Sequence, residues 1–311
     1  MGAFGRPRRS CLAVPGSNVR MLDKAHGLPA DQVFLDLEDA VAPLAKAGAR
    51  GNVVAALNEG DWGGKILAVR VNDPTTAWAY RDVIDVVEGA GSTLDCVVLP
   101  KVSTPDHVAW LDLTLGQLER ALGLPVGGIG IEAQIETAAG VSQVDAIAAA
   151  SPRLEAIIFG PADLMASLNM RSLSVGRLPA DYPGDPLHYV LMRIVVAART
   201  YQLQAIDGPY LQVHDLAGFR VAASRTAVLG FDGTWVVHPG QIATANDVFS
   251  PTQAEYDRAE GILDAYERAT SAAGGSVGAV LLGDEMIDEA SRKMALVIAG
   301  KGRAAGLRRT A

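Results

Sequence analysis

Short apolar runs alternate along the chain with longer segments in which apolar residues recur at helical spacing. The apolar runs are nearly continuous, which is typical of parallel strands covered on both faces. Eight of them are predicted to be strands: residues 11–14, 32–37, 66–71, 96–99, 129–135, 155–159, 204–206 and 234–237. The segments between them are predicted to be helices, among them residues 43–58, 105–122 and 216–229.

Eight strand–helix units without a compositional break predict an α/β fold of the TIM (β/α)8 barrel type. The alternative is a doubly wound open sheet, but no GxGxxG motif follows the first strand. A run of small residues, AAGGS at 272–276, suggests a hinge. We therefore expect a catalytic barrel over residues 1–271 and a C-terminal lid segment over residues 272–311.

Composition narrows the class of protein. Of the 311 residues, 49% are hydrophobic, which excludes a disordered chain. A net charge of −8 argues against a nucleic-acid partner or an anionic membrane surface. Cys11 and Cys96 lie in predicted strands and are expected to be reduced, buried thiols. With no secretion signal and no apolar run of roughly 18 residues, a cytoplasmic protein without a membrane partner is expected.

Charged residues follow the predicted strands at the end where TIM barrels carry their catalytic groups. Because the carboxyl ends of all eight strands meet on one face, these side chains are expected to converge on one active site. The charged and histidine residues at or near strand ends are Asp36, Glu38, Asp39, Arg70, Lys101, Glu132, Glu136, Asp163, Asp207 and His238.

Carboxylates without a histidine or cysteine cluster suit Mg²⁺, with Mn²⁺ as the alternative cation. Glu136 and Asp163 follow neighbouring strands and could share one cation, although Asp163 could instead cap a helix. Arg70, inside an apolar strand, needs a carboxylate partner from the protein or from a substrate. Lys101 could form ion pairs or act as a Schiff-base lysine. The turn that leads to Arg20 and Lys24 could bind a phosphate or simply begin a helix.

A series of motifs falls in a characteristic order along the chain: LAVPGS (12–17), FLDLEDAV (34–41), VRVN (69–72), LPK (99–101), IET (135–137), SPRLE (151–155), FGPAD (159–163), AIDGP (205–209), LGFDG (229–233) and VHPGQI (237–242). In these motifs the chain resembles the citrate lyase β-subunit/HpcH-HpaI aldolase superfamily. The DWG segment at 61–63 and the MIDEAS segment at 286–291 resemble its malyl-CoA lyase branch.

The resemblance implies a Mg²⁺-dependent barrel that cleaves or forms a C–C bond next to a CoA thioester. Glu136 and Asp163 match metal ligands that also contact substrate, and Arg70 matches a catalytic arginine that clamps a substrate carboxylate. Asp288 matches a catalytic aspartate on a lid that completes a neighbouring subunit's site, which implies a homo-oligomer such as a trimer or hexamer. Positions that match the CoA and substrate path are Ala13, Val14, Arg20, Lys24, Ala162, Val237 and His238.

Two further carboxylates, Glu38 and Asp39, are interpreted as groups that hold metal-bound waters or Arg70. The chain also departs from the family pattern. Asn18 stands where relatives often carry a basic residue, a role for which Arg20 is the candidate here. Asp284 and Glu285 precede the tail motif where relatives often carry a basic residue, which leaves the geometry of the lid open.

The implied reaction is reversible cleavage of malyl-CoA or β-methylmalyl-CoA to glyoxylate and acetyl-CoA or propionyl-CoA. Three alternatives remain at this point. A thioesterase would release malate and free CoA, a citrate-lyase-like enzyme would cleave a citryl or citramalyl thioester, and a regulatory barrel would have no activity. The substrates expected as partners are therefore a CoA thioester and glyoxylate.

Overall fold

The structure is a computed structural model, and it describes residues 6–177, 182–271, 275 and 277–310. The chain divides into two compact units, a larger one over residues 8–249 and a smaller one that contains residues 6–7 and the part of the chain from residue 250 onwards. Each unit has its own hydrophobic core and is described by itself.

The larger unit contains a closed barrel of eight parallel strands in the order β1 to β8. The predicted TIM barrel is thus confirmed, and the doubly wound alternative is excluded because β1 pairs with β8 and leaves no open edge. The strands are β1 Ser10–Pro15, β2 Gln32–Asp36, β3 Ile66–Arg70, β4 Cys96–Leu99, β5 Gly130–Ile135, β6 Leu154–Phe159, β7 Gln204–Asp207 and β8 Gly233–Val236.

Helices follow the strands. They are α1 Val19–Ala25, α2 Lys46–Asn58, α3 Ala79–Ala90, α4 Pro105–Leu122, α5 Ala138–Ser142, α6 Val144–Ala148, α7 Pro161–Ser167, α8 His188–Thr200, α9 Leu216–Leu229 and α10 Ile242–Val248. The predicted helix over residues 43–58 begins instead as a 3₁₀ turn, Pro43–Ala45, before α2. None of the described helices is long and apolar enough to cross a membrane.

The barrel buries apolar side chains in two layers. Outward-facing strand residues pack against the helices in one large cluster. A second cluster lies inside the barrel and consists of Cys11, Phe34, Ile66, Ala68, Cys96, Val98, Ala156, Ile158, Ile206 and Trp235. Both cysteines are free and buried in this inner layer.

A polar layer closes the barrel at the amino ends of the strands. Arg8 enters from the segment before β1 and donates to Glu132 Oε1 at 2.8 Å and to Gln204 Oε1 at 2.5 Å. Gln32 also donates to Glu132 Oε1 at 2.8 Å. Glu132 therefore belongs to the floor of the barrel, not to the strand-end charges among which the sequence pattern placed it. An active site is therefore expected at the opposite end of the barrel, where the carboxyl ends of the strands lie.

The smaller unit consists of α11 Gln253–Thr270, a hairpin of β9 Val280–Leu282 and β10 Glu285–Ile287, and α12 Glu289–Ala304. Helices α11 and α12 share a core that includes Tyr256, Ala259, Ala295 and Ala299. Because of this packing, the C-terminal part of the unit begins at residue 250, before α11, and not at the expected residue 272. Apart from Gly275, the expected hinge at 272–276 lies outside the described residues.

Candidate active site

Charged side chains meet at the carboxyl ends of β2 to β6. We use the term carboxylate cluster for Glu38, Asp39, Glu136 and Asp163, which Lys101 links by contacts of its side chain or backbone. The cluster brings together residues that are up to 125 positions apart in the sequence. The closed order of the strands explains this convergence, since each of these residues lies at or just after the end of its strand.

Arg70 ends β3 and is held by Asp36, its register partner at the end of β2. The guanidinium donates to Asp36 through Nε at 2.7 Å and through Nη2 at 2.8 Å. Arg70 Cζ, the central carbon of the guanidinium, lies 5.1 Å from the ring centroid of Trp235. Burial opposes the charge on Asp36, but the charge and hydrogen bonds of Arg70 prevail and lower the pKa of that carboxyl. Arg70 is therefore a fixed cation, and Asp36 takes two of its five N–H donors.

Glu38 lies between the two cations of the site. Its Oε2 is 2.9 Å from Arg70 Nη1, and its Oε1 accepts from Lys101 Nζ at 2.5 Å. Burial raises the pKa of Glu38 despite both positive charges. Glu38 thus contacts Arg70, one of its two expected roles, whereas the exposed Asp39 contacts Lys101 at 3.4 Å.

Lys101 follows β4 in the left-handed region, with φ of 51°. This backbone turn lets its N–H donate to Glu136 Oε1 at 2.8 Å, while Nζ lies 3.7 Å from Asp163 Oδ2. Although burial lowers it, the pKa of Lys101 is raised overall by the hydrogen bond and charge of Glu38. A protonated lysine does not attack a carbonyl. The ion-pair interpretation therefore holds, and the Schiff-base alternative is disfavoured.

Glu136 follows β5 and is the most perturbed acid of the cluster. Gln134 Nε2 donates to its Oε2 at 2.6 Å, and the buried Gln134 Oε1 accepts no hydrogen bond from any described residue. Burial, with the charges of Glu38 and Asp163, raises the pKa of Glu136 to about 8. Gly160 leaves room for this carboxylate, because a Cβ there would overlap Glu136 Oε2 and its Cβ.

Asp163 lies in the first turn of α7, with its side chain 39% exposed. The N-cap residue of α7 is Gly160, which has no side chain, and Asp163 lies three residues later. The capping alternative for Asp163 is therefore wrong. Its carboxylate is free to face the cluster, where it lies near Glu136 closely enough to raise the pKa of that residue.

The cluster fits a Mg²⁺ ion. Among the described residues, no three acidic, histidine or cysteine side chains are close enough together to form a complete cage. Mg²⁺ does not need one, since it keeps several waters and binds proteins through one or two carboxylates. Glu136 and Asp163 supply two such oxygen donors, and a divalent cation between them would offset the charges that now raise the pKa of Glu136.

The residues expected on the CoA path lie on or after β1, β6 and β8. Strands β1 and β8 pair as far as Leu12 and Val236, and Ala13 follows Leu12 while Val237 and His238 follow Val236. Val14, by contrast, is 3% exposed and packs in the outward-facing cluster. Ala162 is exposed in the first turn of α7, and Arg20 and Lys24 are exposed on α1. Asn18 does not take the role of a basic residue here, because its side chain caps α1 by accepting from Met21 N at 3.2 Å.

Three other residues named in the sequence analysis make local hydrogen bonds, and one of them, Asp207, lies away from the cluster. His238 caps the 3₁₀ turn Pro239–Gln241 through Nδ1, which accepts from Gly240 N at 3.1 Å. Asp207 does not join the cluster, because it faces α9 and accepts from Thr226 Oγ1 at 2.8 Å. Asp288, in the smaller unit, is the N-cap of α12 and accepts from Ser291 N at 3.0 Å.

Sequence reasoning assigned no role to three supporting residues: Asp36, Gln134 and Trp235. Asp36 was visible as a carboxylate at a strand end, but only the β2–β3 register shows that it faces Arg70. Gln134 follows the two-residue alternation of β5 that also places Glu136 inside the barrel. No local signal identifies Trp235 as the aromatic neighbour of Arg70.

Comparisons with known proteins agree with this geometry. The model of the HpcH/HpaI aldolase/citrate lyase family matches residues 9–239. An L-malyl-CoA/beta-methylmalyl-CoA lyase of Cereibacter sphaeroides is 41% identical over 302 residues, 94% of either chain. The citrate lyase subunit beta of Escherichia coli is 34% identical over 303 residues, 97% of this chain and 96% of that one.

A solved structure agrees as well. The CitE protein of Mycobacterium tuberculosis, in complex with magnesium, acetoacetate and coenzyme A, has a TM-score of 0.74 and 27% identity over 98% of this chain and 100% of that one. The similarity thus extends along nearly the whole chain. The protein belongs to the HpcH/HpaI aldolase/citrate lyase family.

Proposed function

We propose that the protein is a Mg²⁺-dependent carbon–carbon lyase that cleaves malyl-CoA or β-methylmalyl-CoA reversibly to glyoxylate and acetyl-CoA or propionyl-CoA. The observation that carries the proposal is a fixed guanidinium, Arg70, on the same barrel face as the carboxylates Glu136 and Asp163. The similarity to the Cereibacter sphaeroides enzyme supports the choice of acyl group.

Arg70 binds the carboxylate of the malyl group or of glyoxylate. Asp36 holds Nε and one hydrogen of Nη2, and Glu38 Oε2 lies 2.9 Å from Nη1. A substrate carboxylate would therefore bind along the Nη1–Nη2 edge, beside Glu38. Two N–H donors on that edge match the two oxygens of a carboxylate. Because Asp36 fixes the guanidinium, the substrate loses freedom on binding while the protein does not, which brings the reacting bond to one position.

Glu136 and Asp163 would hold the Mg²⁺ ion. When bound, the cation supplies Lewis-acid polarisation of the substrate oxygen at the carbon next to the carboxylate. Lys101 and Gln134 position Glu136 through the hydrogen bonds to its two oxygens. Glu38 links Arg70 and Lys101, so the groups proposed for the carboxylate and for the cation share one network.

Asp288 is the proposed proton-transfer group. In cleavage the hydroxyl group next to the carboxylate loses its proton to solvent, the C–C bond breaks, and its electron pair passes to the acyl-CoA fragment. Asp288, protonated from solvent, gives a proton to the carbon that becomes the methyl or methylene group. In condensation it removes that proton. Hydrogen bonds from the Ser291 backbone and side chain lower the pKa of Asp288, which favours the ionised form that the condensation requires.

The CoA moiety is proposed to lie along the rim near Ala13, Val237 and His238, with the exposed cations Arg20 and Lys24 near its phosphates. Charge complementarity supports this, since the chain is acidic as a whole and these two cations lie within two turns of one helix.

The enzyme is proposed to be a cytoplasmic homo-oligomer. Large apolar side chains are exposed in the smaller unit, among them Leu281 at 71%, Met286 at 64% and Met294 at 63%. Such residues, grouped on a hairpin and a helix, are typical of a subunit interface. The free, buried thiols of Cys11 and Cys96 support a reducing compartment.

The test is to incubate the purified protein with malyl-CoA and Mg²⁺, with and without EDTA, and to follow glyoxylate and free CoA thiol separately. A lyase produces glyoxylate without free thiol and stops when EDTA is added. Free thiol without glyoxylate would indicate a thioesterase. Activity only with citramalyl-CoA or a citryl thioester would favour the citrate-lyase-like alternative, which the Escherichia coli relative supports.

A further inference from the structure

Lys101 has an uncommon backbone conformation at the centre of the site. It is one of three non-glycine residues with positive φ in the described chain. Only a few per cent of non-glycine residues adopt such values, and they are concentrated at functional sites. Here the conformation aims the backbone N–H at Glu136 Oε1, 2.8 Å away.

The same residue reaches the second proposed cation ligand through its side chain. Lys101 Nζ lies 3.7 Å from Asp163 Oδ2. It also lies 2.5 Å from Glu38 Oε1 and 3.4 Å from Asp39 Oδ2. The ammonium group therefore lies among three carboxylates, with the charge of Glu136 near enough to act on it as well.

A lysine ammonium in this position opposes a divalent cation in two ways. It neutralises part of the negative charge that would attract the cation, and it repels the cation directly. By contrast, the backbone N–H of Lys101 orients Glu136, and any residue other than proline at this position would retain that donor. The side chain and the backbone of Lys101 therefore have separable effects.

We propose that Lys101 is a positioning residue whose side chain holds the carboxylate cluster together in the cation-free protein and weakens its affinity for Mg²⁺. This inference rests on the proposed function only in assigning Glu136 and Asp163 to the cation. A loss of the ammonium that leaves the fold intact then makes cation binding tighter. A merely structural lysine has the opposite signature, because its loss disorders the cluster and weakens binding.

The experiment compares Lys101→Met and Lys101→Gln, which remove the charge, with Lys101→Arg, which keeps it. Mn²⁺ binding is followed by electron paramagnetic resonance and Mg²⁺ binding by calorimetry, in the absence of substrate and at fixed pH and ionic strength. Lys293→Met is the matched control, since that side chain is 71% exposed on α12 and its loss changes the net charge equally. Glu136→Gln and Asp163→Asn test the ligands themselves.

We expect the two neutral variants to bind both cations about tenfold more tightly than the wild type, from the loss of one charge near a divalent ion. Lys101→Arg and Lys293→Met should remain close to wild type. Unchanged or weaker binding in both neutral variants would overturn the inference. If Glu136→Gln and Asp163→Asn do not weaken binding, the cation site of the proposed function fails instead, whatever the lysine variants show. If neither the wild type nor any Lys101 variant binds a cation, both fail.

Discussion

Asp36 and Arg70 are register partners at the ends of adjacent strands, and the carboxylate accepts two hydrogen bonds from the guanidinium, at 2.7 and 2.8 Å. Both side chains are at most 10% exposed. The pair therefore balances a buried charge, and in the proposed function it also orients Arg70 towards a substrate carboxylate.

Replacing Asp36 by Asn should damage both roles. The variant leaves Arg70 with Glu38 as its nearby acidic partner, and breaking a buried ion pair typically costs about 3–5 kcal/mol of unfolding free energy. Urea denaturation measures this loss, and the KM for glyoxylate in the condensation direction should rise. Asp247→Asn is the control, because its ion pair with Arg220 is exposed and should contribute less than about 1 kcal/mol. Equal losses in the two variants would contradict the prediction.

The raised pKa of Glu136, about 8 through burial and the charges of Glu38 and Asp163, predicts a pH effect on the cation-free protein. The folded protein keeps a proton on Glu136 at pH values where the unfolded chain, with an ordinary glutamate pKa, has released it. The unfolding free energy should therefore fall as pH rises from the ordinary value towards about 8, and then level off.

Urea denaturation in EDTA, over a series from about pH 5 to about pH 9, measures this fall. Burial raises the pKa of Asp207 to about 6, so this residue also makes the unfolding free energy fall with rising pH at the acidic end of the series. The difference between wild type and Glu136→Gln therefore isolates Glu136. Mg²⁺ should stabilise the wild type most above pH 8, where no proton competes for the ligand. A wild-type curve parallel to that of Glu136→Gln would contradict the assignment.

The barrel could be predicted from the sequence because its strands are continuous apolar runs, and each predicted run overlaps an observed strand. The depth of a polar side chain inside the barrel could not be predicted in the same way. Glu132 and Glu136 both follow the inward alternation of β5, yet one pairs with Arg8 in the floor and the other faces the site. The rise of four residues, about 13 Å, separates the two levels, and the stagger of neighbouring strands decides which level lies in the floor.

The C-terminal hairpin was beyond sequence reasoning for a different reason. Strands β9 and β10 have three residues each, and most of their side chains are exposed or only partly buried. Without a buried face there is no alternation to detect. The expected unit boundary at residue 272 lies after α11, whereas the observed one lies before it. The periodicity of α11 does not reveal whether its apolar face packs on the barrel or on α12.

Gly160 should tolerate no side chain, although its φ of −106° is open to any residue. In Gly160→Ala the new Cβ would overlap Glu136 Oε2 and Cβ, and it would press on Gln134 Nε2. We expect a loss of about 1–3 kcal/mol of unfolding free energy from overpacking, together with weaker Mg²⁺ binding. Gly261→Ala is the control, since α11 has open space there and the change should stabilise by about 0.5–1 kcal/mol. Intact cation binding in Gly160→Ala would count against Glu136 as a ligand.

Asp288→Asn should separate chemistry from folding. Asparagine is as good an N-cap as aspartate, so α12 should remain capped and the unfolding free energy nearly unchanged. Cation binding should also be unchanged, while the rate of malyl-CoA cleavage falls by roughly 10²–10⁴ through the loss of the proton-transfer group. A wild-type rate would remove Asp288 from the mechanism.

The same variant tests whether Asp288 acts on a neighbouring subunit. Arg70→Ala supplies an intact Asp288 on a chain whose own carboxylate-binding group is missing. After the two inactive variants are mixed and subunit exchange is verified by mass spectrometry, hybrid oligomers should contain sites that combine Arg70 of one chain with Asp288 of the other. Activity should then reappear. If subunits exchange and activity does not return, the lid completes the site of its own chain.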